Sequence, residues 1–325
     1  VSPSDPGATA TASALYPHPI NPFAPRVRGL YIDDLVVVGH RDVHRPDAGT
    51  RLIARTPSFD VWRDDTVHIA HRVGDSSIDD TLTGRIEAEL FAPGWLSGND
   101  LFERVFTGLI LSARQDPLDA WELFYRNTRM TLAAIIDGRG GMEVTKGLGA
   151  FAEIYHHVDR IVPPTGSVLE IGSCFGFLAL HLASRHRRRV TASDVSTSSM
   201  SLLGALAPRL GICLSTTTLD ARTLACPDAS YDTLVLVHLL EHLDDVEGRK
   251  ALDEARRVAR RTIIVAVPYE DVATASYGHV RTVCRDDLEQ WAVQDPRWRG
   301  RVEDFRGGWL VLERVEETGV IRHRS

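Results

Sequence analysis

Residues 168–180 read VLEIGSCFGFLAL. An apolar run carries one acid, Glu170. A turn containing Gly172 and Gly176 follows, and a second apolar run begins at Phe177. A strand that turns through glycines into a helix brings backbone N–H groups close to a bound small molecule. The rest of the chain repeats the alternation. Residues 144–161 have helical spacing, SVLEIG reads as a strand, FLALHLASRH as a helix, RVTASD as a strand and SSMSLLGALA as a helix. ICLSTTTLD, YDTLVLVHL and TIIVAVP read as further strands. EGRKALDEARRVA is a helix with a charged outer face, and RDDLEQWAV another helix. VEDFR and WLVLER flank Gly307 and Gly308 and close the series. This order predicts an α/β fold with a doubly wound, mostly parallel, Rossmann-like sheet. Ligands of such sheets sit outside the carboxyl ends of the strands, where the strand order reverses.

The glycine spacing narrows the ligand. A dinucleotide loop needs Gly-x-Gly-x-x-Gly, but the positions that would follow Gly172 hold Cys174 and Phe177. A nicotinamide-dependent reductase is therefore disfavoured. The spacing acid-x-Gly-x-Gly-x-Gly fits Glu170, Gly172 and Gly176, with Cys174 in place of the middle glycine. Cysteine is small, and a tight turn tolerates it if its φ stays negative. This stretch resembles the first motif of class I S-adenosylmethionine methyltransferases. The resemblance covers roughly residues 145–315 and implies a seven-stranded sheet ending in a hairpin, with S-adenosyl-L-methionine as cofactor.

Asp194 ends the second strand of this series, where an acid accepts both ribose hydroxyls of a nucleoside. It also fits a turn or cap before the next helix, a role open to Ser196. Asp220 ends the third strand. In the resembling family an acid here meets the adenine amino group, and the next backbone N–H, that of Ala221, meets the ring. A loop-starting aspartate is the structural alternative. Tyr155, in FAEIYHHVDR with His156 and His157, lies where that family often touches the methionine end, and it equally suits packing.

The fourth strand ends in VHLLEHLDD. The family often has an apolar stretch followed by Glu-His here, which brings His238, Glu241 and His242 near the cofactor pocket. His238 and His242 are four apart and would share one face if this segment is a helical turn. Their spacing also suits a metal pair, with Asp244 and Asp245 as added oxygen donors. However, Glu241 is misplaced for a His-Glu-x-x-His site, and no further ligand with clear spacing follows, so no metal is expected. After the fifth strand, VPYEDVATASYGHVRTV is long for a strand–helix loop. His279 sits in it between Gly278 and Arg281. The set combines a base, a pliable backbone and a cation, so His279 is the first candidate general base and His242 the second. Glu270 or Asp271 would hold the His279 ring in one tautomer, and Arg281 would orient an oxygen-rich acceptor.

Upstream, residues 29–72 alternate and are rich in β-branched types, which predicts three to five short, mostly antiparallel strands. From Asn99 to Ile136 the apolar spacing turns helical, broken near Pro117. GRGGME at 138–143 reads as a linker. The expected division is a disordered tail over 1–27, an accessory, acceptor-shaping domain over 28–140 and a methyltransferase domain over 141–325. The first residues, VSPSDPGATATASALYPHP, lack a basic segment followed by an apolar core, so no secretory signal is expected. A net charge of −7 gives no basic footprint for nucleic acid, and no apolar run is long enough for a membrane span. Cys174, Cys213, Cys226 and Cys284 form no CxxC pair. Four buried free thiols in a reduced, cytoplasmic protein are the expectation.

GLYIDDLVVVGHRDVHRP, TPSFDVWRDD, VLEIGSCFGF and YGHVRTV, with an Arg-rich composition in which only Lys146 and Lys250 are lysine, are similar to the mycofactocin-oligosaccharide methyltransferases of actinobacteria. The GC-rich codon usage this implies agrees with Val1 as a literally read GTG start. The resemblance implies O-methylation of a glucose hydroxyl in an oligosaccharide tail. A methyltransferase acting on another small molecule, or a non-catalytic cofactor-binding module that recruits a partner, remain alternatives.

Overall fold

The computed structural model describes residues 19–47, 49–139, 146–274 and 278–315. The expected tail, through residue 18, lies outside these, as do most of the GRGGME linker and residues 275–277 of the loop that leads into GHVRTV. The chain divides into two compact units, Val1–Phe124 and Tyr125–Ser325.

In the first unit, alternating β-branched segments form β1 (Tyr31–Ile32), β2 (Val36–His40), β3 (Arg51–Arg55), β4 (Phe59–Arg63) and β5 (Val67–His71). They make a five-stranded sheet in the order β1-β2-β5-β4-β3, antiparallel except for the β2–β5 pair. Helix α1 (Thr81–Ile86) runs into a π turn, and α2 (Asn99–Leu111) packs on the sheet. Gly108 permits that approach: a Cβ there would lie 2.7 Å from Val38 Cγ2 and 2.8 Å from Tyr31 Cδ1. His71 is fully buried. Its Nδ1 accepts from the Val73 N–H at 3.2 Å and its Nε2 meets Ser112 Oγ at 2.8 Å, so the ring sits neutral and burial pushes its pKa down to about 3. Helix α3 (Pro117–Ile136) begins at Pro117 and includes the boundary between the units.

The second unit begins with α4 (Lys146–Ile161) and continues as β6 (Thr165–Ile171), α5 (Phe177–Ser184), β7 (Arg187–Asp194), α6 (Thr197–Arg209), β8 (Ser215–Thr218), β9 (Tyr231–Val237), α7 (Asp245–Val258), β10 (Ala259–Val267), α8 (Arg285–Val293), β11 (Trp298–Asp304) and β12 (Gly308–Arg314). The third strand of the series, β8, is shorter than ICLSTTTLD suggested. The seven strands are ordered β11-β12-β10-β9-β6-β7-β8. All neighbours are parallel except β12, which runs antiparallel to β10 and β11. This is a doubly wound, Rossmann-like sheet that ends in a terminal hairpin. Strand β10 buries Ile263 to Val267 continuously, as a central strand covered on both faces must. Helix α7 lays Ala251, Leu252, Ala255 and Val258 against the sheet at helical spacing, and truncating Leu252 to alanine there costs about 2–5 kcal/mol. Asp244 caps α7 by accepting the Val246 and Glu247 N–H groups.

The winding explains where a ligand would sit. From β6 the chain steps outward through β7 to β8, then returns to β9 on the other side of β6. Loops leaving the carboxyl ends of β6 and β9 therefore diverge and leave a crevice between them. No helix among the described residues is long and apolar enough to cross a membrane. The cysteines depart from expectation: Cys174, Cys213 and Cys284 are exposed and Cys226 half-buried, all as free thiols. Cys174, Cys213 and Cys284 lie in turns and loops at the ends of elements, and Cys226 packs partly buried against the sheet's core.

Candidate functional site

The turn after β6 is held from three sides. From β7, the Ser193 carbonyl accepts the N–H groups of Gly172 and Ser173, both at 2.9 Å. Asp194 accepts the Cys174 N–H through Oδ2 at 2.8 Å and the Ser196 N–H through Oδ1 at 2.9 Å. From α3, Tyr125 donates its hydroxyl to the Phe175 carbonyl at 2.8 Å, and its ring lies 4.8 Å from that of Phe177. From below, Glu170 is fully buried and accepts the Ser173 hydroxyl at 3.0 Å and the Ala179 N–H in the first turn of α5. Burial dominates and raises its pKa to about 7. Glu170 thus supports the turn from inside.

Gly172, Cys174 and Gly176 all have positive φ, at 78°, 49° and 75°. For Cys174 this corrects the sequence expectation of a negative φ. The middle position of the motif is left-handed here, where glycine is unstrained and a residue with a Cβ is not. The Cys174 N–H bond to Asp194 helps hold it there. Gly176 is required on two counts. It opens α5 in the left-handed region, and a Cβ there would fall 2.3 Å from Leu203 Cδ2.

Asp194 is not the cap of α6. Ser196 is, accepting the Ser199 N–H. The Asp194 oxygens each take one backbone N–H and each keeps a further lone pair for a ligand hydroxyl. Asp220 is more committed. Arg222 bonds it from Nε, Nη2 and the backbone N–H, and reaches on to Glu247. Those bonds hold the Asp220 carboxyl below its ordinary range. Ala221 beside it is buried.

A second cluster stands beyond β9. His238 has a left-handed φ of 53° and ties its N–H to the Ala266 carbonyl. Its ring lies 5.8 Å from Phe151. A one-turn 3-10 helix, Leu240–His242, follows. The loop after β10 folds back onto it: Val280 donates to the Glu241 carbonyl at 2.9 Å, and His242 Nδ1 lies 3.2 Å from the Gly278 carbonyl. The His242 and His279 rings meet edge to face at 4.9 Å. His279 Nδ1 lies 2.7 Å from Glu270 Oε2, and Glu270 also accepts the Thr274 hydroxyl at 2.7 Å. Burial acts to raise the Glu270 pKa, but the bonds from Thr274 and His279 outweigh it and leave the carboxyl below its ordinary range.

Two sequence expectations change here. Arg281 does not stand open to an acceptor. It donates to the Leu240 carbonyl and Asp245 and lies over the Trp291 ring at 5.4 Å, so it braces the loop. Asp244 and Asp245 are not donors in the cluster, because one caps α7 and the other pairs with Arg281. Tyr155 packs between Phe151 and His181. His157 pairs with Glu303 and stacks on Phe305, beside a hollow of about 480 Å³ that shares no lining residue with either cluster. Tyr125 was missed, because on a helix its spacing is that of any core residue.

Residues 168–262, from β6 into β10, match the family model of a methyltransferase domain. Among solved structures, the chain is similar to a SAM-dependent methyltransferase from Methanosarcina mazei, with 17% identity over 50% of this chain and 98% of that one, at a TM-score of 0.42. It is similar to magnesium protoporphyrin IX methyltransferase from Synechocystis PCC 6803 with bound SAH, with 16% identity over 57% and 94% and a TM-score of 0.43. It is also similar to a SAM-dependent methyltransferase from Aquifex aeolicus, with 17% identity over 49% and 88% and a TM-score of 0.40. The comparison with curated proteins found no match.

Proposed function

We propose that the chain is an S-adenosylmethionine-dependent O-methyltransferase acting on a hydroxyl of a small, oxygen-rich acceptor, with a sugar of the mycofactocin oligosaccharide as the specific candidate. The observation that carries the cofactor reading is the pairing of Asp194 with the Cys174 N–H: it sets an acid with open lone pairs beside the glycine turn at the switch point. The match of residues 168–262 to a methyltransferase domain supports the same reading. The sugar acceptor rests on the sequence resemblance of the segments quoted above.

The residues present fit such a cofactor. Asp194 would hold the ribose hydroxyls, and the Gly172–Gly176 turn the portion beside them. Ala221 would offer its backbone N–H to the adenine, and Asp220 would share its carboxylate between the adenine amino group and Arg222. When bound, the cofactor supplies a methyl group on a positively charged sulfur, already activated for displacement. The protein's task is then alignment, together with removal of the acceptor's proton. Nδ1 of His279 faces Glu270, an acceptor, so the neutral ring carries its proton on Nδ1 and its lone pair on Nε2. That lone pair would take the proton of an acceptor hydroxyl, and His242 stands beside it. Incubating the protein with S-adenosylmethionine and an oligosaccharide acceptor tests the reading. The acceptor should gain the mass of one methylene unit. No gain on any hydroxyl-bearing acceptor, with gain on an amine or carbon acceptor instead, would move the chemistry elsewhere.

A further inference from the structure

We propose that Glu241, His242 and His279 form a binding site for one divalent first-row transition-metal ion. Each residue offers a ligand atom, and the three atoms lie within 4.8 Å of one another. Donors held about 2.0–2.2 Å from an ion sit about 3.0–3.6 Å apart, so the cluster has to close by about 1–2 Å. His242, exposed on a one-turn helix, has the room to do so.

Glu241 points to an ion independently. It is 1% exposed, and neither carboxylate oxygen has a hydrogen-bond partner among the described residues. His238 Nδ1 approaches Oε1 to 3.3 Å but without hydrogen-bond alignment. An ionised carboxylate left buried and unbonded is costly, and a bound cation removes that cost directly. The histidines show a matching arrangement. Each turns Nδ1 toward an oxygen, His279 toward Glu270 and His242 toward the Gly278 carbonyl. Outer oxygens of this kind orient imidazoles that ligate metals through the other nitrogen. Two imidazoles and one carboxylate suit zinc, manganese, cobalt or iron better than magnesium or calcium, which favour oxygen-only sets. Asp244 and Asp245 are occupied elsewhere and do not supply such a set.

Three protein ligands leave coordination positions for solvent or an acceptor oxygen, where an ion lowers the pKa of a bound hydroxyl. The ion would occupy the His279 lone pair that base catalysis uses, so the two roles of that ring exclude each other. Ion binding itself does not depend on the methyltransferase reading.

The test is calorimetric titration of the full chain, stripped with EDTA and kept reduced, with Mn²⁺ and with Co²⁺, beside visible spectra of the cobalt form. Wild type should take up one equivalent, with cobalt bands typical of nitrogen and oxygen ligation. Glu241→Gln and His279→Ala should each weaken binding at least tenfold. Glu241→Gln is nearly isosteric, and circular dichroism checks its fold. His242→Ala provides a third variant should either of the others unfold. No saturable uptake by wild type, or uptake retained at wild-type affinity in the folded variants, as adventitious binding to the exposed cysteines would give, overturns the proposal. Titration of S-adenosylmethionine into the same stripped protein reports the cofactor reading separately.

Discussion

Asp194 accepts the Cys174 N–H at 2.8 Å, joining the end of β7 to the middle of the turn that follows β6. The bond holds a non-glycine residue at a φ of 49°, in the left-handed region. Cys174 is exposed. Cys174→Gly should therefore leave cofactor affinity unchanged or better and stabilise the fold by up to about 1 kcal/mol, as strain is relieved. Urea denaturation of the two proteins reads this. A loss of more than about 1 kcal/mol, beyond the entropy cost of glycine, would mean that the thiol itself supports the turn.

Tyr125 braces the same turn from α3. Its hydroxyl is fully buried, and its ionisation is suppressed chiefly by that burial. Tyr125→Phe removes the bond to the Phe175 carbonyl and keeps the ring on Phe177, so a loss of about 0.5–1.5 kcal/mol in stability is expected. Hydrogen exchange of the Gly172–Gly176 amides should quicken in the variant. Unchanged exchange there would show that the turn does not depend on this bond.

Glu170 makes the second unit sensitive to pH. Its folded pKa of about 7 lies above the ordinary 4.5, so the carboxyl favours the fold when protonated. That contribution is complete below about pH 4.5 and is lost as pH rises through about 7, a change of about 3 kcal/mol at most. Glu170→Gln should flatten this dependence and be the more stable protein at pH 8. A variant less stable than wild type at both pH 5 and pH 8 would mean that the ionised carboxylate is needed by Ser173 and Ala179.

The Glu270–His279 pair sets the catalytic expectation. With EDTA present, His279→Ala should lower kcat about a hundredfold or more and leave cofactor affinity nearly unchanged. Glu270→Gln should lower kcat less, because the base remains but its tautomer is no longer enforced. Activity that vanishes in EDTA and returns with Mn²⁺ or Co²⁺ would make His279 a metal ligand in place of a general base.

Much of this was legible in the sequence. The alternation of periods gave away the second unit's strands, helices and closing hairpin, because each element buries one face or both. Asp194 was legible as a strand-end acid because the change of hydrophobic period marks where β7 stops. Glu270 was found because it shares a loop with His279. What escaped has a common cause: it depends on which distant atoms meet. The positive φ of Cys174, the hold of Tyr125 on Phe175 and the capture of Arg281 by Asp245 and Trp291 leave no periodic trace. The meeting of His279 with Glu241 and His242 escaped a reading based on ligand spacing, because a long loop after β10 brings it there. The cysteines were misjudged from their usual habit of burial.

The central claim is that the turn after β6 and Asp194 hold S-adenosylmethionine. Calorimetric titration of S-adenosylmethionine, and of NADH as a control, into wild type and Asp194→Ala tests it most directly. The expected result is saturable one-to-one binding of S-adenosylmethionine to wild type, weaker by about 2–3 kcal/mol in the variant because two charge-assisted hydrogen bonds are gone, and no binding of NADH. Binding of NADH in place of S-adenosylmethionine, or S-adenosylmethionine affinity equal in the folded Asp194→Ala protein and wild type, would contradict it.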